Sequence, residues 1–81
     1  MVVYTGAAYA NITALETAYD TVATNDTEFV GVFLNDTLGY AQVFYDNDAN
    51  TQGGEELLMN LTNITNLTDL AAAFTADSFI V

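Results

Sequence analysis

The stretch EFVGVFLNDTLGYAQVFY, residues 28–45, determines the fold that this sequence predicts. Residues 28–34 would be apolar on both faces of an extended chain, which predicts a central strand covered on each side. Residues 35–39 form a five-residue loop that ends at Gly39, where we expect a positive φ angle. Residues 40–45 are again hydrophobic and predict the return strand. The stretch is therefore expected to be an antiparallel β-hairpin.

Upstream of this hairpin, the sequence predicts a short strand followed by a long helix. Residues 1–4, MVVY, have the apolar, β-branched character of a strand, and Gly6 is expected to end it. Between residues 7 and 23 apolar side chains recur every three or four positions, as in an amphipathic helix, with Thr5 as the expected N-cap. The apolar stripe comprises Ala8, Ile12, Leu15, Tyr19 and Val22. The positions expected to face solvent are Glu16, Thr17, Asp20 and Thr24.

Downstream of the hairpin, residues 55–61 predict another antiparallel strand, residues 68–74 a short helix capped by Asn66 or Thr68, and residues 78–81 a last strand. These elements predict an α+β fold. It would be an antiparallel β-sheet of about five strands, with one long amphipathic helix packed on it and a short second helix near the C-terminus. A chain of 81 residues has room for a single small domain, residues 1–81.

The charge balance excludes several classes of function. The chain has eleven acidic residues and no Lys, Arg or His, so its formal charge is −11. It has no basic side chain that could bind a phosphate, which argues against nucleic acid and anionic membranes as partners. It also lacks the residues of the usual nucleophile–base pairs, which predicts a protein that is not an enzyme. A glycan hydrolase built on two carboxylates is the one catalytic alternative.

A cation is the natural counter-charge for acidic side chains that have no basic partner, and one loop concentrates them. Asp46, Asp48 and Asn50 stand at alternate positions, as at the start of a calcium-binding loop. An EF-hand would require Gly and Glu where this chain has Thr51 and Leu57, so the loop is not an EF-hand. The alternative is a solvated turn, in which these residue types are common. The predicted Ca²⁺ ligands are Asp46, Asp48, Asn50, Glu55 and Glu56.

A longer pattern carries a family resemblance. It runs from Gly39 through a strand to Tyr-Asp-x-Asp at residues 45–48, then through the strand at residues 57–61 to the terminal segment TADSFIV at residues 75–81. Residues 29–81 resemble the C-terminal segment of RTX-type, hemolysin-like calcium-binding proteins. The sequence departs from that family where it lacks the glycine-rich nonapeptides, has Ala49 after Asp48, and places Ser78 between Asp77 and Phe79. The resemblance implies type I secretion directed by the C-terminus.

These observations lead to a functional expectation. Apolar strands near both ends would leave two sheet edges, and exposed edges favour pairing with neighbouring chains. We therefore expect a secreted extracellular structural protein that self-assembles as a filament, sheath or surface-layer subunit through its strand edges, stabilised by divalent cations. One alternative is a calcium-binding or adhesive C-terminal module of a larger RTX-like surface protein. Another is a soluble monomer whose copies repel one another.

Overall fold

The computed structural model describes residues 2–19, 28–46, 55–74 and 79–80. Their strands form one sheet in the order β4-β3-β2-β1-β5, with two short helices in the connections. The elements are β1 (Val2–Tyr9), α1 (Ile12–Tyr19), β2 (Phe29–Asn35), β3 (Tyr40–Asp46), β4 (Glu55–Leu61), α2 (Leu67–Ala73) and β5 (Phe79–Ile80).

The sheet is mixed, and this overturns the predicted fold class. β1 lies parallel to β2 and to β5, whereas β2, β3 and β4 are successively antiparallel. Parallel neighbours need a crossover connection, and the connections from β1 to β2 and from β4 to β5 contain α1 and α2. The described chain has four strands of seven or eight residues and a two-residue β5, with helices of eight and seven residues. The prediction of an antiparallel sheet of about five strands with one long amphipathic helix is therefore wrong.

The hairpin at residues 28–45 is confirmed. β2 is buried and lies in the middle of the sheet, and it pairs with β3 from Phe29 opposite Asp46 to Asn35 opposite Tyr40. Gly39 has φ 86°, the left-handed conformation that glycine adopts at no steric cost. The side-chain Oδ1 of Asn35 accepts hydrogen bonds from the backbone N–H groups of Thr37 and Leu38 at 3.0 and 2.9 Å. Local turn chemistry thus fixes this hairpin.

The N-terminal boundary between strand and helix differs from the prediction. β1 continues through Gly6 as far as Tyr9, whose carbonyl accepts a hydrogen bond from the N–H of Asp36 at 2.9 Å. The helix begins at Ile12, and Asn11 rather than Thr5 caps it, because its Oδ1 accepts from the Ala14 N–H at 2.8 Å. Gly6 lies in an irregular part of this strand, because the register with β2 shifts between Tyr4, opposite Phe33, and Tyr9, opposite Asn35. Residues 20–27, including the predicted end of the helix, lie outside the described residues.

The C-terminal elements agree more closely with the sequence. β4 forms at residues 55–61 as predicted and pairs antiparallel with β3. α2 begins one residue before the predicted start, and Asn66 is its N-cap, accepting from the Asp69 N–H at 2.7 Å. β5 falls within the predicted last strand, but residues 75–78 and 81 lie outside the described chain.

The two faces of the sheet carry separate apolar cores. Consecutive strand residues point to opposite faces, so Val43 belongs to one core and Phe44 to the other. We name each face after the helix that packs on it. The buried members of the α2 face are Val3, Val32, Leu34, Ala41, Val43, Ile64 and Leu70, and those of the α1 face are Tyr4, Leu15, Phe33 and Phe44.

Phe44 organises the α1 face, and Gly31 makes room for it. These residues are directly opposite in the β2–β3 register, and a Cβ on Gly31 would overlap the Phe44 ring. The ring makes edge-to-face contacts with Phe29 and Phe33, each at a centroid distance of 5.8 Å, and it stacks on Tyr4 at 6.4 Å. The residue at position 31 must therefore be small.

Candidate metal centre

Three acidic side chains from three elements meet at one end of the α1 face. Asp46 ends β3 and Glu55 begins β4, and the two are opposite one another in the strand register. Glu16 comes from α1, which packs over this face through Ile12 and Leu15. One carboxylate oxygen from each residue lies within 4.8 Å of the other two. We call Glu16, Asp46 and Glu55 the carboxylate trio.

The trio is largely removed from water. Only 4% of Glu16 and 1% of Asp46 are exposed, and Glu55 is partly buried. The Oε2 atom of Glu55 is itself buried and accepts no hydrogen bond from the described residues. Acidic residues are rarely buried to this extent without a compensating partner. Among the described residues, the trio is therefore a candidate site for a counter-charge.

The electrostatics of the trio are unfavourable without that counter-charge. Two like unit charges 4 Å apart repel by about 4 kcal/mol at an effective dielectric constant of about 20. The chain contains no Lys, Arg or His, so no basic side chain of this protein can offset that repulsion. Hydrogen-bond donors, protons or an external cation can reduce it. Three carboxylates without nitrogen or sulfur ligands favour a hard, oxygen-preferring cation such as Ca²⁺.

The structure describes three of the five predicted ligands and brings two of these three together. It brings Asp46 and Glu55 together within the trio. Glu56 is exposed and lies opposite Tyr45, on the α2 side of the sheet. Asp48 and Asn50 lie outside the described residues. The metal assignment itself stays a prediction.

Glu16 is the trio member that sequence reasoning missed, because it was expected to face solvent. The buried stripe of α1 begins at Ile12 and contains Leu15, and Glu16 lies four residues after Ile12. Residues three and four apart share a helix face, so Glu16 is on the buried side. The predicted stripe also contained Ile12 and Leu15, so the spacing alone could have placed position 16 on the buried face.

A row of side-chain amides lies on the same face, near the other end of β3. The Nδ2 of Asn35 donates to the Oε1 of Gln42 at 3.0 Å, and the Nε2 of Gln42 donates to the Oδ1 of Asn60 at 2.9 Å. Asn35 and Gln42 are buried, whereas Asn60 is exposed on β4. We call these three residues the amide ladder. It connects β2, β3 and β4, and the sequence pattern did not indicate it.

One further polar contact lies outside the trio. The Tyr45 hydroxyl donates a hydrogen bond to the Oε2 of Glu28. This bond raises the pKa of Tyr45 above its usual value of 10.0, and burial and the charges of Glu28 and Asp46 add to the effect. The cause is that ionising the phenol would remove the donated proton and create a second negative charge.

Comparisons with known proteins leave the trio as the main guide to function. No protein-family model matches the chain, and neither the curated proteins nor the solved structures give a match. Among the described residues, no helix has the length and apolar character needed to cross a membrane.

Proposed function

We propose that this protein is a non-enzymatic, self-associating structural protein whose fold is stabilised by a divalent cation, with Ca²⁺ as the preferred ion. The observation that carries the cation proposal is the carboxylate trio, with two members almost fully buried in a chain that contains no basic side chain. The non-enzymatic part is supported by the absence of His, Cys, Lys and Arg from the sequence.

A cation at the trio would act as a cross-link within the fold. It would join α1 to the ends of β3 and β4, which adjoin residues 47–54. Ca²⁺ takes six to eight oxygen ligands in flexible geometry, so backbone carbonyls and waters can complete a site to which the protein gives three carboxylates. Asp48 and Asn50 remain proposed additional ligands, since they follow Asp46 in the sequence.

Thermal unfolding in EDTA and in Ca²⁺ tests this proposal, with Glu16→Gln as the site variant and Glu56→Gln as the matched control. Both variants lose one acidic charge, but Glu56 lies outside the trio. Ca²⁺ at a hundred times its Kd would stabilise the wild type by about 2.7 kcal/mol, a rise of roughly 10–20 °C in Tm for a domain of this size. Glu56→Gln should keep this rise, and Glu16→Gln should lose most of it.

In EDTA, the Tm of Glu16→Gln should not fall below that of the wild type. Without a cation, Glu16→Gln removes one of three mutually repelling charges and adds an amide donor, so its Tm should equal or exceed that of the wild type. A Tm that is the same in EDTA and Ca²⁺ for the wild type would refute the cation proposal. Equal responses of Glu16→Gln and Glu56→Gln would place the ion elsewhere.

An extracellular location is a further part of the proposal, supported by the resemblance of residues 29–81 to RTX-type proteins. The alternative role, a calcium-binding or adhesive C-terminal module of a larger secreted protein, has the same support. Fusing the chain to the C-terminus of a passenger protein, in a host that has a type I exporter, tests both. Export that is lost when residues 75–81 are deleted supports the assignment. Retention of the intact fusion inside the cell contradicts it.

A further inference from the structure

β4 is an edge strand with an unusual surface. Among the described strands it pairs with β3 alone, so its other backbone edge faces away from the sheet. Leu57, Leu58 and Met59, three consecutive apolar residues, are 47%, 50% and 55% exposed. An exposed apolar edge favours the addition of another strand. The positions of Glu55, Glu56 and Asn60 on this strand determine which partner strand can pair with it.

We infer that β4 pairs with β4 of a second copy of this chain, antiparallel, about a two-fold axis at Leu57 and Leu58. This inference rests on the self-association proposed above and specifies its contact and orientation. The two sheets would become one continuous sheet across the axis. An antiparallel pairing of identical strands is self-complementary, because each contact occurs twice.

The distribution of charge on β4 selects the antiparallel orientation. Both acids of the strand, Glu55 and Glu56, lie at its N-terminal end, and the remainder of the strand is uncharged. A parallel pair would place each glutamate beside its own copy, and like charges directly opposite one another are destabilising. The antiparallel pair places the acidic end of each strand against the uncharged end of the other. This separation matters in a chain with a net charge of −11 and no base.

The register of β4 fixes the position of the axis. The strand contains a β-bulge, because Phe44 pairs with Leu57 while the adjacent Val43 pairs with Met59. Bulges can protect an edge from pairing. In this arrangement the bulge lies on the axis and meets its own copy, and the residues on either side pair regularly. Glu55 then lies opposite Asn60 of the second copy.

The facing of the side chains is consistent with this register. Glu55 and Asn60 are both on the α1 side, since they pair with Asp46 and Gln42. A two-fold axis perpendicular to the sheet keeps each face on the same side, so these two side chains can meet. On the α2 side, Glu56 of each copy lies opposite Met59 of the other copy.

The amide ladder gives the pairing a specific polar contact. The ladder runs outward across the sheet and ends at Asn60, whose Nδ2 donates to no described residue. In the antiparallel dimer this open donor faces the Glu55 carboxylate of the second copy. The ladder of one chain would thus be connected to the trio of the other, twice by symmetry. A hydrogen bond to a charged acceptor is stronger than one between neutral groups.

Single-cysteine cross-linking of the intact chain in Ca²⁺ tests the inference, because the natural sequence has no cysteine. The three variants are Leu58→Cys at the axis, Asn60→Cys on the same strand, and Leu38→Cys as the control. Leu38 is 49% exposed, like Leu58, but lies in the turn between β2 and β3. In the proposed dimer the two copies of position 60 are about 13 Å apart along the strand, since residues rise about 3.3 Å each. That separation is too large for a disulfide.

Leu58→Cys should form a disulfide dimer on the order of a hundredfold faster than Leu38→Cys, because an interface raises the local thiol concentration to the millimolar range. Asn60→Cys should react no faster than the control. Equally fast reaction at positions 58 and 60 would show parallel pairing and overturn the inferred orientation, while leaving self-association intact. If neither Leu58→Cys nor Asn60→Cys reacts faster than the Leu38→Cys control, the β4 contact is overturned.

Sedimentation of the cysteine-free chain separates these failures from the failure of self-association. The wild type should sediment at twice 8.7 kDa or more. The dissociation constant of the Leu58→Asp dimer should be about tenfold higher than that of the wild type, whereas that of Leu38→Asp should match the wild type. A wild type that stays monomeric at all concentrations contradicts both self-association and this inference. Self-association that Leu58→Asp leaves unchanged contradicts this inference alone.

Discussion

The two faces of the sheet each carry a buried cluster, but they differ in what they bury. The buried cluster of the α2 face is purely apolar and runs from Val3 to Leu70 across β1, β2, β3 and α2. The α1 face has an aromatic centre, Phe44, with amides near one end of β3 and carboxylates at the other. Along β3 this face presents Gln42, Phe44 and Asp46 in one row.

The two faces therefore stabilise the fold in different ways. Apolar burial stabilises a fold without requiring any ligand, so the α2 face needs only good packing. Buried polar groups are stable only when each of them has a partner, so the α1 face depends on hydrogen bonds and, in the proposed function, on a bound cation. Stability conferred by the α2 face should therefore be independent of cations. Stability conferred by the trio should depend on them.

The largest expected effect is on the α2 face. Leu70 is completely buried there, and Leu70→Ala should lower the free energy of unfolding by about 2–5 kcal/mol. Because no ligand is involved, the loss should be equal in EDTA and in Ca²⁺ when measured by urea unfolding. Ala72→Ser, at an exposed position of the same helix, is the control and should change little. A Leu70→Ala penalty that varies with Ca²⁺ would mean that the two faces are not independent.

An intermediate effect is expected at the aromatic centre of the α1 face. Gly31→Ala would force its new methyl group into the Phe44 ring and should cost about 1–3 kcal/mol. Gly31→Ala combined with Phe44→Leu should lose less stability than the sum of the single changes, because the smaller side chain relieves the clash. A double-mutant cycle measured by urea unfolding tests this coupling. Additive losses would show that the close approach of ring and glycine is unimportant.

The smallest effect is expected at Tyr45, and it concerns ionisation. The pKa of Tyr45 is raised in the folded state by its hydrogen bond to Glu28, so the protonated phenol is favoured. The stabilisation is therefore fully present below the ordinary tyrosine pKa and is lost as pH rises through the raised value. Ultraviolet titration of the five tyrosines should contain a late transition.

Tyr45→Phe should remove that late transition. Glu28→Gln should shift it to lower pH, because the main cause of the raised pKa is the bond to Glu28. Tyr40→Phe is the control and should leave the transition in place. A late transition that survives in Tyr45→Phe would assign the raised pKa to another tyrosine.

The parts of the fold that the sequence predicted are those fixed by local contacts. Gly39 and Asn35 determine the turn between β2 and β3, and Asn66 determines the start of α2. The mixed topology depends on pairing between β1 and β2, which are distant in sequence. That pairing is irregular around Gly6 and resumes at Tyr9, which lies opposite Asn35. No local pattern contains this information.

The same distinction holds for the candidate site. Asp46 and Glu55 flank one connection between neighbouring strands, so the sequence could indicate that they lie near each other. Glu16 reaches them only because α1 packs over Phe44 through Ile12 and Leu15. The amide ladder likewise requires three strands in their final register. These contacts follow from tertiary packing and not from residue spacing.

Calorimetric titration of Ca²⁺ into the cation-free protein tests the central claim most directly. The wild type and Glu56→Gln should both bind with a stoichiometry close to one ion per chain. Glu16→Gln and Asp46→Asn should bind at least about tenfold more weakly, a loss of about 1.4 kcal/mol in binding free energy. Absence of binding heat in the wild type, or unchanged affinity in both trio variants, would contradict the assignment of the carboxylate trio as a cation site.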